Sequence, residues 1–127
     1  LAEAISRGQA FANAGADIVF VEAPESVEEM TEICHKIDCP LMANMVDGGR
    51  TPLLTAEELK DIGYQIAIFP GTAFLAAGSA VESVYQYLKT TGSSAGLPTP
   101  LYNFEEFSRL MGFEDVWAFE KKWTDPS

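Results

Sequence analysis

Residues 16–24 have the sequence ADIVFVEAP, and this stretch decides the fold. Four consecutive apolar residues, Ile18 to Val21, are typical of a short strand that is buried on both faces. Glu22 follows the apolar run directly, and Pro24 then ends the strand because proline cannot donate to the ladder. A carboxylate at the carboxyl end of a buried parallel strand stands where α/β proteins place their chemistry.

Two later stretches repeat this pattern of a short apolar run with a polar or turn residue at its end. Residues 40–44 have the sequence PLMAN, and residues 65–70 have the sequence QIAIFP. The three predicted strands begin about 24 residues apart, and helical patterns fill the spaces around them. The sequence therefore predicts an α/β fold of parallel βα repeats, with helices over 1–14, 26–37, 55–63 and 73–90.

The number of strands suggests that the chain is part of a larger fold. Three parallel strands leave two open edges, whereas a closed βα barrel has eight strands. The chain begins at Leu1, inside a helical pattern and without an initiator methionine. We therefore expect residues 1–90 to form the closing part of a (β/α)8 TIM barrel that belongs to a longer protein. A small open-sheet binding domain is the alternative.

The remainder of the chain is predicted to be a linker followed by helices. Residues 91–100, TGSSAGLPTP, are rich in glycine, serine and proline. Residues 101–127 contain two helical patterns with a large share of aromatic side chains, including Trp117, Phe119 and Trp123. Such apolar surface on a tethered element is expected to pack on the body of this chain or on a neighbouring subunit.

Composition excludes several classes of function for these 127 residues. The net charge of −11 argues against nucleic acid as a partner, because phosphates select Lys and Arg. No apolar run approaches the roughly 18–20 residues that span a bilayer, and no signal peptide is recognisable. Cys34 and Cys39 lack further Cys or His partners for a metal site, so we expect reduced, structural cysteines and a cytoplasmic location.

Polar residues follow each predicted strand and are expected to share one rim of the sheet. Glu22 is a candidate base, a candidate hydrogen-bond partner of a metal ligand, or an acceptor for a substrate hydroxyl, with a salt bridge at the rim as the alternative. Asn44 offers both a donor and an acceptor, or serves the turn alone. The loop GGR at 48–50 has the composition of a weak anion site, or of a plain mobile loop. Thr72 is a rim residue or a helix cap, and His35 is expected to be a solvated helix residue.

The order of several short motifs resembles the second half of the isocitrate lyase and phosphoenolpyruvate mutase superfamily. The match extends over about residues 4–90. It rests on five short motifs: GAD at 15–17, VEA at 21–23, AN at 43–44, TP at 51–52 followed by Leu54, and FP at 69–70. The resemblance implies a βα barrel with bound Mg²⁺. Its members make or break a C–C bond, or in some branches a P–C bond, beside a carboxylate or oxo-acid. In the lyases a 2-hydroxy acid loses its hydroxyl proton, the C–C bond opens and an enolate forms.

The resemblance also implies roles for particular residues. Glu22 matches the strand-end glutamate that touches the substrate, and Asn44 matches the asparagine that binds a substrate carboxylate. Val46 stands where methylisocitrate lyases carry threonine, and Leu75 where they place an arginine for a third carboxylate. These two apolar residues favour a smaller or methyl-bearing diacid, as in a dimethylmalate-type lyase. Thr72 is expected to join these residues in substrate binding.

Other parts of the family's site are absent from the 127 residues. The Mg²⁺-binding aspartates and the flexible loop with Lys-Lys-Cys-Gly-His are expected in the half before Leu1, so no metal ligand is expected here and the chain alone is expected to be inactive. The resemblance also implies a homotetramer that assembles through its C-terminal helices. The alternatives are a phosphonopyruvate or carboxyphosphonoenolpyruvate mutase or hydrolase of the same superfamily, and a non-catalytic piece that serves assembly.

Overall fold

The structure, a computed structural model, describes residues 1–124. The last three positions of the predicted helical region 101–127 lie outside the described residues. The elements are α1 Ala2–Asn13, β1 Val19–Phe20, α2 Val27–Lys36, β2 Leu41–Asn44, α3 Ala56–Ile62, β3 Ile66–Ile68, α4 Thr72–Thr91, α5 Phe104–Leu110 and α6 Phe113–Trp123.

The three strands form one parallel sheet in the order β1-β2-β3. Phe20 lies opposite Met42, and Asn44 lies opposite Ile68. Each strand is followed by a helix, as the strand spacing predicts, and the fold class of parallel βα repeats is confirmed. Because the strands are parallel, all their carboxyl ends lie at the same edge of the sheet.

One face of the sheet carries the hydrophobic core. Val19, Leu41 and Ala43 alternate with outward residues and are 2–4% exposed. They pack against helical side chains from α1, α2 and α3, and the fully buried members of this cluster include Met30, Ile33 and Leu59. Burial of each such large side chain contributes about 1.5–3 kcal/mol, so this face holds the repeats together.

The prediction that β1 is buried on both faces is wrong for the described part of the chain. Ile18 and Phe20 are 45% and 42% exposed, and Ile68 on β3 is 37% exposed. Successive residues of a strand point to opposite faces, and the core helices cover only the face that carries Val19. The apolar run therefore has one covered face and one open face.

Two predicted helix starts are capped by the expected side chains. The Ser26 hydroxyl accepts a hydrogen bond from the Glu29 backbone N–H at 3.2 Å. Thr55 and Glu58 form a reciprocal capping box at the start of α3. These bonds to Thr55 lower the pKa of the Glu58 carboxyl. The caps fix where the chain leaves the loops that follow β1 and β2.

The chain divides into two compact units, residues 1–79 and residues 80 onward. In the second unit α5 and α6 pack on each other, and Arg109 on α5 forms an ion pair with Glu114 on α6 at 3.6 Å. α6 begins at Phe113, directly after Gly112, which adopts φ +82° and reverses the chain there. Phe104 is 87% exposed. Within residues 1–124, no helix combines the length and the apolar character needed to cross a membrane.

Gly63 permits a close approach between α2 and α3, and its substitution is a test of this packing. Gly63 has φ +114°, and an added Cβ would lie 3.0 Å from the Cβ of Cys34. Gly15 has φ +97° but open space around it. We expect Gly15→Ala to lower the free energy of unfolding by about 1 kcal/mol through backbone strain, and Gly63→Ala by about 2 kcal/mol through strain and overpacking. Equal losses in urea denaturation would contradict this account.

Candidate active site

A cleft of about 440 Å³ lies at the carboxyl ends of β1 and β2. Three of the sequence-predicted residues line it: Glu22, Asn44 and Val46. The remaining lining is largely apolar, with side chains such as Phe20 and Met45. A mostly apolar cleft with a few polar groups is typical of a site for a small molecule.

Glu22 reaches the cleft through an unusual backbone conformation. It follows β1 by two residues, and its neighbour Ala23 adopts φ +51°, a region that residues other than glycine rarely occupy. Pro24 is buried directly afterwards and fixes the turn. Within the described residues the Glu22 carboxylate is exposed and takes part in no hydrogen bond or ion pair. It is therefore free to act on a bound molecule.

Asn44 ends β2 with an unsatisfied polar atom. Its Oδ1 is buried and has no hydrogen-bond partner among the described residues. A buried acceptor without a partner costs about 1–3 kcal/mol, and most such atoms in proteins are paired. The position of this amide in the cleft makes a ligand a natural source of the missing bond.

The loop after β2 is connected to the loops on both sides of it. The Gly49 backbone N–H donates to the Val46 carbonyl at 2.9 Å and closes a tight turn. Asp47 accepts a hydrogen bond from the Thr72 hydroxyl at the start of α4. Arg50 forms an ion pair with Glu25, at 3.4 Å between Nη1 and Oε1. These contacts hold Val46 and Arg50 at the wall of the cleft.

Two of the predicted substrate-binding residues do not line this cleft. The Thr72 hydroxyl donates its hydrogen bond to the Asp47 carboxylate, and Thr72 is the first residue of α4 rather than a cap before it. Leu75 lies on α4 and is 52% exposed. The structure therefore brings Glu22, Asn44 and Val46 together and leaves Thr72 and Leu75 outside the group.

Tyr64 and Arg50 also line the cleft. Arg50 was predicted only as part of the weak GGR anion motif, and Tyr64 was not predicted. Tyr64 is 6% exposed, and burial raises the pKa of its hydroxyl, with a further contribution from Cys34. The hydroxyl is therefore a neutral donor at ordinary pH. No sequence signal marks Tyr64, because it stands in a plain helix-to-strand turn, whereas the GGR motif did mark Arg50.

Neither cysteine lines the cleft. Both are free thiols, as the sequence predicts, and they line a depression beside Pro40 at the amino ends of the strands. His35 is exposed on α2, also as predicted. Neither cysteine belongs to the group of side chains around Glu22.

The sequence profile of the phosphoenolpyruvate phosphomutase family matches residues 1–89. The chain belongs to this family. It is 43% identical over 118 residues to 2,3-dimethylmalate lyase from Eubacterium barkeri, and the aligned region is 93% of this chain and 41% of that relative. It is 38% identical over 120 residues to 2-methylisocitrate lyase from Aeropyrum pernix, and the aligned region is 94% of this chain and 38% of that relative. The chain thus spans about two fifths of the length of the curated relatives it matches.

Solved structures agree with this assignment to the phosphoenolpyruvate phosphomutase family. The crystal structure of 2,3-dimethylmalate lyase, a member of the PEP mutase/isocitrate lyase superfamily, superposes with a TM-score of 0.83 at 30% identity, over 98% of the chain and 43% of that structure. The crystal structure of phosphonopyruvate hydrolase complexed with oxalate and Mg²⁺ superposes with a TM-score of 0.75 at 25% identity, over 95% of the chain and 43% of that structure. The predicted superfamily, and the predicted relation to part of a TIM barrel, are confirmed.

The described residues do not fit a complete magnesium site. Mg²⁺ is held by oxygen ligands, usually one or two carboxylates together with waters and substrate oxygens. Within residues 1–124 no group of three or more His, Cys, Asp or Glu side chains is arranged to hold a metal ion. Glu22 is the only carboxylate that lines the cleft in this part of the chain.

Labelling of Cys34 tests the assignment of this thiol to the structural core. Burial raises the pKa of the Cys34 thiol to about 11. Since the thiolate is the reactive form, we expect iodoacetamide at pH 8 to alkylate native Cys34 about 100-fold more slowly than the same residue in urea-unfolded protein. Peptide-level mass spectrometry measures both rates. Equal rates would show that Cys34 is an exposed, reactive thiol.

Proposed function

We propose that this chain forms part of the active site of a carbon–carbon lyase that cleaves a small 2-hydroxy dicarboxylate. The observation that carries the proposal is the meeting of Glu22 and Asn44 at one cleft, with the Asn44 amide oxygen buried and unpartnered. The two similar lyases act on dicarboxylic or tricarboxylic acids that bear methyl groups, as their names state. The identity of 43% and 38% to these two lyases supports the same class of reaction here.

The proposed reaction uses Glu22 and Asn44 in different roles. The Glu22 carboxylate accepts the proton of the substrate 2-hydroxyl as the carbonyl forms at C2. The C2–C3 bond breaks, and its electron pair enters the enolate of the departing carboxylate fragment, which then takes up a proton at carbon. The Asn44 amide binds a substrate carboxylate, and its position is fixed by the parallel pairing of β2 with β3.

The apolar wall of the cleft supports a compact, methyl-bearing substrate. Val46 lines the cleft, and its side chain offers no hydrogen bond. The resemblance implies a threonine at this position in the methylisocitrate lyases. Apolar neighbours such as Met45 extend this wall. A methyl group is stabilised by burial against such a surface by about 0.8 kcal/mol per carbon, whereas a third carboxylate would lose its hydration there. A 2,3-dimethylmalate-like diacid fits this chemistry.

We include Mg²⁺ in the proposed function because a similar protein binds it. Mg²⁺ would supply charge stabilisation for the enolate when it is bound, and a similar hydrolase was solved with Mg²⁺. We propose that the metal ligands are contributed from outside the described residues, because those residues hold no set of three candidate ligands. Glu22, Asn44 and Val46 then bind and orient the organic part of the substrate.

Substitution of Glu22 tests the proposed base in the full-length protein. Glu22→Gln keeps the size of the side chain but removes the proton acceptor, so we expect kcat for 2,3-dimethylmalate with Mg²⁺ to fall at least about 100-fold. Glu57→Gln on α3 is the matched control, since Glu57 is exposed and remote from the cleft, and it should retain wild-type kcat. Retained activity in Glu22→Gln would contradict the proposed role.

Assays of the wild type separate the lyase from its closest alternative. A mutase or hydrolase of the same superfamily would convert phosphonopyruvate, and one structural neighbour is a phosphonopyruvate hydrolase. Conversion of phosphonopyruvate without cleavage of 2,3-dimethylmalate would overturn the lyase and establish this alternative.

A role in assembly is the second candidate function, and the helices of the second unit support it. Phe104, Phe119 and Trp123 are 87%, 64% and 67% exposed. Isolated apolar residues are common at protein surfaces, but a concentration of aromatic rings on two short helices is typical of an interface. We propose that α5 and α6 pack on other copies of the protein in a homotetramer.

Sedimentation of charge variants tests this interface. We expect the full-length wild type to be a tetramer and the double variant Phe104→Glu, Phe119→Glu to dissociate, because buried carboxylates without partners are strongly disfavoured. Lys121→Glu on α6 is the control, since it changes the charge without removing an aromatic ring, and it should stay tetrameric. A monomeric wild type, or a double variant that remains tetrameric, would contradict the assignment.

A further inference from the structure

Among the residues that the structure describes, Arg50 is the one positively charged side chain that lines the cleft. The lining holds one carboxylate, Glu22, and the other lining residues of the described chain are uncharged at neutral pH. This composition is notable because the chain carries a net charge of −11. A positively charged side chain in the cleft attracts a dicarboxylate that the many carboxylates of this chain would otherwise repel.

The placement of Arg50 differs from that of the other basic residues. Seven of the eight Lys and Arg side chains lie on the six helices. Arg50 alone lies in a loop, at the carboxyl ends of the strands and on the wall of the cleft. The Gly49 turn and the Asp47–Thr72 hydrogen bond hold the base of this loop.

The present partner of Arg50 leaves its guanidinium available. The ion pair with Glu25 is long, at 3.4 Å, and both side chains are mostly exposed, at 78% and 63%. Exposed pairs of this kind contribute about 0–1 kcal/mol. A guanidinium has five N–H donors in a planar fork that matches a carboxylate in bidentate geometry, so a substrate carboxylate can compete with Glu25.

We propose that Arg50 binds the second carboxylate of a dicarboxylate ligand in this cleft and thereby selects diacids over monoacids. The inference rests on the proposed function, in which Asn44 binds the other carboxylate and Glu22 acts on the hydroxyl between them. Glu25 holds the guanidinium near the cleft until the ligand arrives. Val46 and Arg50, four residues apart in one loop, then set the methyl and charge preferences of the site together.

Calorimetry with two uncleavable acids tests this selection in the full-length protein with Mg²⁺. The probes are 2,3-dimethylsuccinate and 2-methylbutanoate, which differ only in the second carboxylate and lack the hydroxyl needed for cleavage. We expect Arg50→Met to weaken binding of the diacid at least about 10-fold and binding of the monoacid less than about 2-fold. Glu25→Gln should bind the diacid at least as tightly as the wild type, because it removes only the competing carboxylate.

Four results would overturn the proposal. A wild type that binds the diacid no tighter than the monoacid would exclude selection by the second carboxylate. Equal weakening of both acids in Arg50→Met, or the same weakening in Glu25→Gln, would show that the ion pair only holds the loop. The binding measurements do not depend on turnover. Failure to cleave 2,3-dimethylmalate would therefore contradict the proposed lyase alone, and normal cleavage with unchanged diacid selection in Arg50→Met would contradict the role of Arg50 alone.

Discussion

Parallel pairing of three short strands is the constraint on which the candidate site depends. Met42 pairs with both Phe20 and Ile66, so the carboxyl ends of β1, β2 and β3 reach the same edge of the sheet. The helices cover one face, where Val19 and Leu41 are buried, and this fixes the register because a one-residue slip would expose the core residues. Glu22 and Asn44 meet at the cleft as a consequence of this pairing.

The site combines this rigid edge with a loop that is attached at both sides. Asp47 contacts the start of α4, and Arg50 contacts the segment after β1. Backbone strain at Ala23, with φ +51°, turns Glu22 toward the same cleft. Strain of this kind is found where a functional side chain must be held in place. A carboxylate, an amide and a guanidinium are thus positioned around a largely apolar space, as binding of a small acid requires.

The fold was largely predictable from the sequence because the signals were local. Apolar runs and helical patterns each act over a few residues, and the structure contains the helices predicted over 26–37 and 55–63, which begin at the Ser26 and Thr55 caps. The number of buried faces of β1 was not predictable in this way, since an apolar run does not show which neighbours are present. The open face with Ile18 and Phe20 depends on contacts that the run itself does not encode.

The candidate site was predictable in part, for a related reason. Glu22 and Asn44 follow strands directly, so the strand pattern places them at the rim. Thr72 and Leu75 stand farther along, and their distance from the cleft depends on how α4 leaves β3, which no local pattern specifies. Tyr64 reaches the cleft from a turn at the amino end of β3, and only tertiary packing brings it there.

The most direct test of the central claim is a crystal structure of the full-length protein with 2,3-dimethylsuccinate and Mg²⁺. The account predicts a ligand carboxylate within about 3 Å of the Asn44 amide, in the cleft that Glu22 and Val46 also line. Ligand density at another place, or an Asn44 side chain whose hydrogen bonds are all made to neighbouring protein groups, would contradict it.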